Sequence, residues 1–294
     1  MFQVSEKGSV MDRADLDHEI PNGSRLYFGE LAKTKREFES FAASVFVKYG
    51  FDEIVTPYFS YHQHLSVPNE QILKFQDKIN HTISLRADST VDVVRIILRR
   101  IKDKNLNKIF YIQPVFKYPS LEFYQIGAEM IGKRDLKLAL EICSIVLDHF
   151  KINSTLQISN IEIPRIVCKL LNIEIEEFEK GNGTLFLGSD KKWLRELSRI
   201  TSLSDLKNVK KNIPNELKDP LEKMEDLSCN STHKNIKLAP LYYSKMRYYD
   251  SLFFRFLCGN SIFCSGGDYE IDSLKSSGFA IMSDQVIQNL SKKD

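Results

Sequence analysis

The sequence has no long apolar segment, no strong excess of charge and no internal repeat. No run of about 18 apolar residues occurs in the chain of 294, so no membrane-spanning helix is expected. Residues 1–18 are polar and acidic, unlike a signal peptide. The formal net charge is only +2, and lysine and arginine are spread along the chain, which disfavours a nucleic-acid-binding surface. These absences predict a cytoplasmic protein that does not bind a membrane.

The five cysteines are odd in number and form no CxxC motif, so neither a disulfide framework nor a zinc site built on paired cysteines is predicted. Cys229 and His233 have a ligand-like spacing, but no second pair accompanies them. His62 and His64 lack an identifiable third ligand, and we interpret them as polar loop residues. We therefore predict reduced, mostly buried thiols, no metal and no cofactor.

Apolar spacing predicts helices and antiparallel strands in long blocks. A helix is expected over residues 24–49, and strands are expected at 51–57, 83–86, 108–117, 122–132 and 248–258. Because the blocks show no βαβ rhythm, they predict an α+β domain. The expected architecture is an antiparallel sheet with helices on one face and a second face open enough to hold a ligand.

Helix caps are predicted at Asp88-Ser89, at Asp135 and at Asp284, and Ser89 and Asp92 have the spacing of a capping box. Between about residues 161 and 237 the composition shifts to Glu, Lys, Asn and Leu, with helical fragments and polar joints. We interpret residues 1–294 as a single domain with a helical insertion at about 161–237.

The strand at 122–132 carries the most informative pattern. A period of two separates an apolar face, predicted to be core, from a face with polar groups. The polar face offers an amide, a gap over a glycine and a carboxylate, which together could hold a small zwitterion. The alternative is a half-exposed strand whose polar side faces water. The predicted core residues are Tyr124, Ile126, Ala128 and Met130, and the opposite face has Phe123, Gln125, Gly127 and Glu129.

Two motifs in this region resemble those of histidyl-tRNA synthetase and its relatives. They are LRADST at residues 85–90 and FYQIGAEMIG at 123–132. The pair Tyr248-Tyr249, GGDY at 266–269 and GFAI at 278–281 follow in that family's order. The resemblance covers about residues 26–150 and 248–294, and it implies a class II aminoacyl-tRNA synthetase-like core. It also implies a homodimer through the first helix and the strand at 51–57, although an apolar helix could equally serve as core.

The resemblance implies a histidine pocket. In that family the acid and threonine of the first motif hold the α-amino group, while the glutamine, the glutamate and the paired tyrosines enclose histidine. Asp88 has an alternative role as a helix N-cap. Because successive residues of a strand point to opposite faces, one of the two tyrosines is expected to be core. The implied pocket consists of Asp88, Thr90, Gln125, Glu129, Tyr248 and Tyr249.

The positions of the family's three ATP-binding arginines carry Lys117, Ser244 and Gln285, with Lys245 beside Ser244. Losing one fixed donor to a developing anion costs about 3–4 kcal/mol of transition-state stabilisation. Lysine keeps a charge but lacks the planar fork of arginine. These replacements predict that amino-acid activation is lost and that the chain has no catalytic residues.

A core of this kind without the ATP-binding arginines, in a sequence that ends shortly after them, resembles the regulatory subunit of ATP phosphoribosyltransferase. That family implies a role in the first step of histidine biosynthesis, together with a short-form catalytic subunit that it activates and makes sensitive to histidine. The synthetases continue into an anticodon-binding domain that we do not expect here, which makes tRNA an unlikely partner. The alternatives are a stand-alone histidine or tRNA sensor and an amino-acid-activating enzyme.

Overall fold

The computed structural model describes residues 20–103, 105–179, 186, 188–244, 246 and 248–291. Their strands are β1 (Asp52–Glu53), β2 (Phe59–Ser60), β3 (Lys74–Gln76), β4 (Thr82–Leu85), β5 (Lys108–Lys117), β6 (Leu121–Met130), β7 (Thr155–Asn160), β8 (Ile236–Leu238), β9 (Tyr249–Cys258), β10 (Ser261–Ile271) and β11 (Leu274–Met282). The helices are α1 (Gly29–Lys48), α2 (Thr90–Ile96), α3 (Leu136–His149), α4 (Glu162–Leu171), α5 (Glu176–Glu179), α6 (Lys192–Ser198), α7 (Leu203–Val209), α8 (Lys218–Cys229) and α9 (Ser283–Leu290).

The main sheet has eight strands in the order β1-β5-β6-β11-β10-β9-β7-β8, and β2-β4-β3 form a second, smaller sheet. The six central strands, from β5 through β6, β11, β10 and β9 to β7, pair antiparallel. At the two edges, β1 pairs parallel with β5, and β8 pairs parallel with β7. The α+β prediction is confirmed, and the predicted antiparallel sheet is mixed at its edges. Among the described residues, no helix is long and apolar enough to cross a membrane.

The hairpin of β5 and β6 sets the register of the site. Strand β5 has the predicted bounds, and Tyr111 lies opposite Gly127 on β6. The predicted strand at 51–57 shrinks to Asp52–Glu53, which pair with Ile109 and Phe110 of β5. The β5–β6 pairing therefore determines which β5 side chain lies beside each side chain of β6.

The predicted cap at Asp135 is confirmed, since its side chain accepts a bond from the Leu138 amide, and the Asp88 carboxyl accepts a bond from the Thr90 amide at the start of α2. Ser89 makes no side-chain cap bond, because its hydroxyl instead accepts from the Gln113 amide group. Asp92 bonds with Ser60 and Gln63, so the capping box is absent. The cap prediction at Asp284 was also wrong: its carboxylate accepts from the Tyr124 backbone amide at 2.7 Å and from the Tyr27 hydroxyl.

Two separate cores lie on the two faces of the main sheet. The back face packs apolar residues of β6, β9, β10 and β11 against α1, α3 and α9. The front face has a smaller core in which Val91 and Val94 of α2 pack with Ile109, Tyr111 and Tyr269. Helices therefore cover part of both faces, because the apolar stripe of α2 is buried against the front face. The sequence had predicted helices on only one face.

The chain between β7 and β8 forms α4 to α8 among its described residues. Their buried apolar side chains, such as Leu197, Leu221 and Met224, belong to the back-face core. The interpretation of residues 161–237 as an insertion stays a prediction.

All five cysteines have free thiols. Cys143, Cys168 and Cys264 are buried, as predicted for small apolar groups, whereas Cys229 is exposed.

Candidate functional site

Two glycines leave room for larger side chains on the front face of β6. Tyr111 fills the space over Gly127, and a Cβ atom at Gly127 would overlap its ring. The predicted gap at this position is therefore wrong, because a single strand does not reveal what its neighbour places opposite. A Cβ atom at Gly278 on β11 would likewise collide with the carboxylate of Glu129, its cross-strand partner.

Glu129 is fully buried and lies at the centre of this face. Its carboxylate accepts a hydrogen bond from the Tyr269 hydroxyl at 2.8 Å and another from the Tyr111 hydroxyl at 3.2 Å. Burial raises the pKa of Glu129 to about 8, against the lowering effect of these hydroxyls, and the nearby Asp88 raises it further. Burial therefore favours the protonated form of Glu129 at neutral pH.

Asp88 is the second buried carboxyl group of the site. It accepts a bond from the Thr90 amide at 3.2 Å, at the start of α2, and interacts with the Tyr248 hydroxyl. Burial raises its pKa to about 6, while the positive charge of Lys117 lowers it. The same carboxyl thus contacts the helix start and faces the site, so the two predicted roles are compatible.

Thr90 and the paired tyrosines complete this cluster. The Thr90 hydroxyl interacts with Glu129 and with Tyr248. The rings of Tyr248 and Tyr249 are 4.7 Å apart, and both tyrosines face the two carboxyl groups. Tyr249 is buried in the front-face core, as expected for one of the two tyrosines, whereas Tyr248 lies in the turn before β9, which begins at Tyr249.

Gln125 lies two strand repeats away from Glu129 and faces a separate cavity of about 400 Å³. It is buried, and its Oε1 has no hydrogen-bond partner within the described part of the chain. Lys117, Met282 and Gln285 also line this cavity. The structure thus gathers five of the six predicted residues around Glu129 and places Gln125 in the adjoining cavity.

Tyr111 and Tyr269 hold Glu129, and sequence reasoning missed both. Tyr111 was detectable in principle by counting back from the turn of the β5–β6 hairpin to the residue opposite Gly127. Tyr269 stands in the GGDY segment, but its reach across two strands depends on the glycine at 278. Neither partner follows from the β6 pattern alone.

The three positions at which the resemblance implies ATP-binding arginines carry other residue types. Lys117 ends β5, Gln285 lies in the first turn of α9, and both border the Gln125 cavity. Ser244 is buried, and Lys245 lies outside the described residues. Of the residues lining the Gln125 cavity, Lys117 is the one with a cationic side chain.

Known proteins resemble the chain in sequence and in fold. A family model described as histidyl-tRNA synthetase matches residues 28–228. The chain is 40% identical over 277 residues to an ATP phosphoribosyltransferase regulatory subunit of Wolinella succinogenes, covering 94% of this chain and 96% of that protein. It is 36% identical to that of Helicobacter hepaticus, covering 94% and 99%.

A solved structure from Bacillus halodurans, described as an ATP phosphoribosyltransferase regulatory subunit/histidyl-tRNA synthetase, has a TM-score of 0.81 with this chain at 20% identity, covering 93% of this chain and 83% of that one. This similarity confirms the predicted class II synthetase-like fold. The two sequence relatives match nearly their whole length. The chain therefore belongs to the family of ATP phosphoribosyltransferase regulatory subunits, which have a histidyl-tRNA synthetase-like core.

Proposed function

We propose that this chain is the regulatory subunit of an ATP phosphoribosyltransferase and acts in the first step of histidine biosynthesis. It assembles with a short-form catalytic subunit, makes that subunit active and confers inhibition by histidine. The observation that carries the proposal is the 40% identity, over nearly the whole of both chains, to a protein named as such a subunit.

The effector pocket in this proposal is the cluster around Glu129. Asp88 and Glu129 are both buried and have raised pKa values, so each gains from a ligand that donates hydrogen bonds or carries positive charge. The unpaired Oε1 of Gln125 needs a donor as well, since a buried acceptor without a partner costs about 1–3 kcal/mol. The ammonium group and the ring N–H of histidine supply these donors.

The residues at the ATP positions support a non-catalytic role. Amino-acid activation develops charge on a phosphate, and fixed cations must be aimed at that charge. Here Gln285 is neutral, and Lys117 also lies close enough to Asp88 to lower its pKa. The described residues that line the cavity beside Gln125 therefore do not provide the planar cationic groups that such chemistry uses.

Regulation in this proposal is a coupling between two sites. The interface with the catalytic subunit favours that subunit's active arrangement, and histidine shifts the equilibrium by binding one arrangement more tightly. Couplings of this kind are typically about 1–3 kcal/mol. The chain itself forms a homodimer within the assembly, through the exposed apolar side chains of Val47 on α1 and of Val55, Tyr58 and Phe59 after β1.

A reconstitution experiment tests the function. The turnover of a short-form catalytic subunit is measured alone, with this chain, and with this chain plus histidine. We expect turnover to rise on mixing and to fall with histidine, and the fall to weaken with Glu129→Gln but not with the control Glu122→Gln. Turnover that does not change on mixing contradicts the proposal. Pyrophosphate exchange by the chain alone would instead favour an amino-acid-activating enzyme.

A further inference from the structure

Arg255 holds a fixed positive charge on the front face of the sheet, away from the Glu129 cluster. Its guanidinium carbon lies 3.8 Å from the ring centre of Tyr242, and one of its terminal nitrogens donates to Oε1 of Gln157 at 2.7 Å. Phe253 stacks with Tyr242 in turn, at 5.6 Å between ring centres. Stacking and bonding together fix the plane of the guanidinium.

This cation has no anionic partner among the residues that the structure describes. Other arginines do: Arg99 lies 2.8 Å from Asp272, and Arg134 pairs with Asp250. The Nε atom of Arg255 is buried and makes no hydrogen bond within the described chain. Burial lowers the pKa of Arg255, and no carboxylate appears among the groups that raise it. Arg255 is half-buried, and a partly desolvated charge of this kind gains from an anionic partner.

Arg255 borders a cavity of about 600 Å³, a volume suited to a small organic ligand. The walls combine aromatic and apolar groups with a few hydroxyls: Tyr242, Tyr243, Ser244, Phe253 and Ser265 line it with Arg255. Ser265 is the direct cross-strand partner of Arg255. Among the described residues that line it, this cavity, which we name the Arg255 cavity, thus has one fixed cation, adjacent hydroxyl donors and an apolar body.

The Arg255 cavity is distinct from the cluster around Glu129. Three strand spacings separate β6 from β9, which is roughly 14 Å at ~4.8 Å per spacing. One amino acid does not span that distance while also filling the Glu129 cluster. Ile262 and Met282 border both the Arg255 cavity and the Gln125 cavity, so they form the wall between them.

We propose that the Arg255 cavity is a second ligand site, which binds a small anion whose carboxylate or phosphate is carried on a planar apolar body. The guanidinium binds the anionic group through its fixed fork, and Ser265 and Ser244 supply hydroxyl donors. Tyr243 and Met246 contact the apolar body. This site does not depend on histidine binding near Glu129.

The test uses the full chain and four probes in calorimetric titrations. Adenosine 5′-monophosphate and phenylacetate carry a phosphate and a carboxylate, and adenosine and phenylacetamide are their neutral counterparts. We expect one of the anionic probes to bind at least tenfold more tightly than its neutral counterpart, and Arg255→Gln to weaken it at least tenfold. The control Arg36→Gln removes the same charge from an exposed side chain on α1 and leaves binding unchanged.

A second variant keeps the cation in place. Ser265→Asp places a carboxylate opposite Arg255, where it is expected to bind the guanidinium. Binding of the anionic probe should then weaken at least tenfold. The thermal unfolding midpoint should be no lower than that of the unsubstituted chain. The proposal is overturned if neither anionic probe binds, or if binding survives in both Arg255→Gln and Ser265→Asp.

Discussion

The two faces of strand β6 are built for different purposes. On the back face Ile126, Ala128 and Met130 are apolar and join a core covered by helices. On the front face Gly127 and Glu129 meet two tyrosine hydroxyls and a second buried carboxyl group. The back face gains stability from close packing, whereas the front face keeps ionisable groups in a poorly solvated place. Substitutions on the two faces should therefore have different signatures.

The largest effect is expected on the back face. Phe279 on β11 is 2% exposed and packs against Phe46, so Phe279→Ala removes a buried ring and leaves a cavity. We expect a loss of about 3–5 kcal/mol in the free energy of unfolding, measured by urea denaturation. The loss should not depend on pH between 5 and 8. A strong pH dependence would mean that the two faces are not energetically separate.

On the front face, Gly278→Ala places a methyl group against the Glu129 carboxylate. Overpacking of this kind costs about 1–3 kcal/mol. The double variant Gly278→Ala/Glu129→Ala removes the overlap, so its loss should be smaller than the sum of the two single losses. Additive losses would show that the close approach of Gly278 to Glu129 is not the reason for the glycine.

The free energy of unfolding should depend on pH through Glu129 on the front face. The folded chain keeps the Glu129 proton up to about pH 8, while the unfolded carboxyl releases it near its ordinary pKa of 4.5. The unfolded state then binds fewer protons between these values, so stability falls as pH rises, by at most about 1.4 kcal/mol per pH unit. Glu129→Gln should remove this part of the slope in urea denaturation series at pH 5 to 8.

Glu122→Gln is the matched control, because Glu122 lies on the same strand as Glu129 but on the opposite face. Its slope should equal that of the unsubstituted chain. An unchanged slope in Glu129→Gln would contradict the burial account of the raised pKa.

The smallest effect is expected for Tyr269→Phe, which removes one hydrogen bond to Glu129. We expect a loss of about 1 kcal/mol in the free energy of unfolding. Because the Tyr269 hydroxyl lowers the pKa of Glu129, its removal should raise that pKa, which a titration followed by carboxyl NMR signals would detect. The exposed Tyr118→Phe should change neither quantity.

The back face was predictable from sequence, because a period of two and a short turn define the β5–β6 hairpin without reference to the rest of the chain. The front face was predictable only in part. The residues Asp88, Thr90 and Glu129 were found through motifs, but Tyr111 depends on cross-strand register and Tyr269 on a contact 140 residues away. Asp92 was predicted to cap a helix, yet Ser60 and Gln63 bind it instead, since buried tertiary partners outcompete a local bond.

Calorimetric titration of histidine into the full chain is the most direct test of the account, performed with and without the catalytic subunit. The account predicts binding to the unsubstituted chain, at least tenfold weaker binding to Glu129→Gln, and unchanged binding to Glu122→Gln. No heat of binding under either condition, or equal affinity in Glu129→Gln, would contradict the claim that the buried carboxyl groups of the front face recognise histidine.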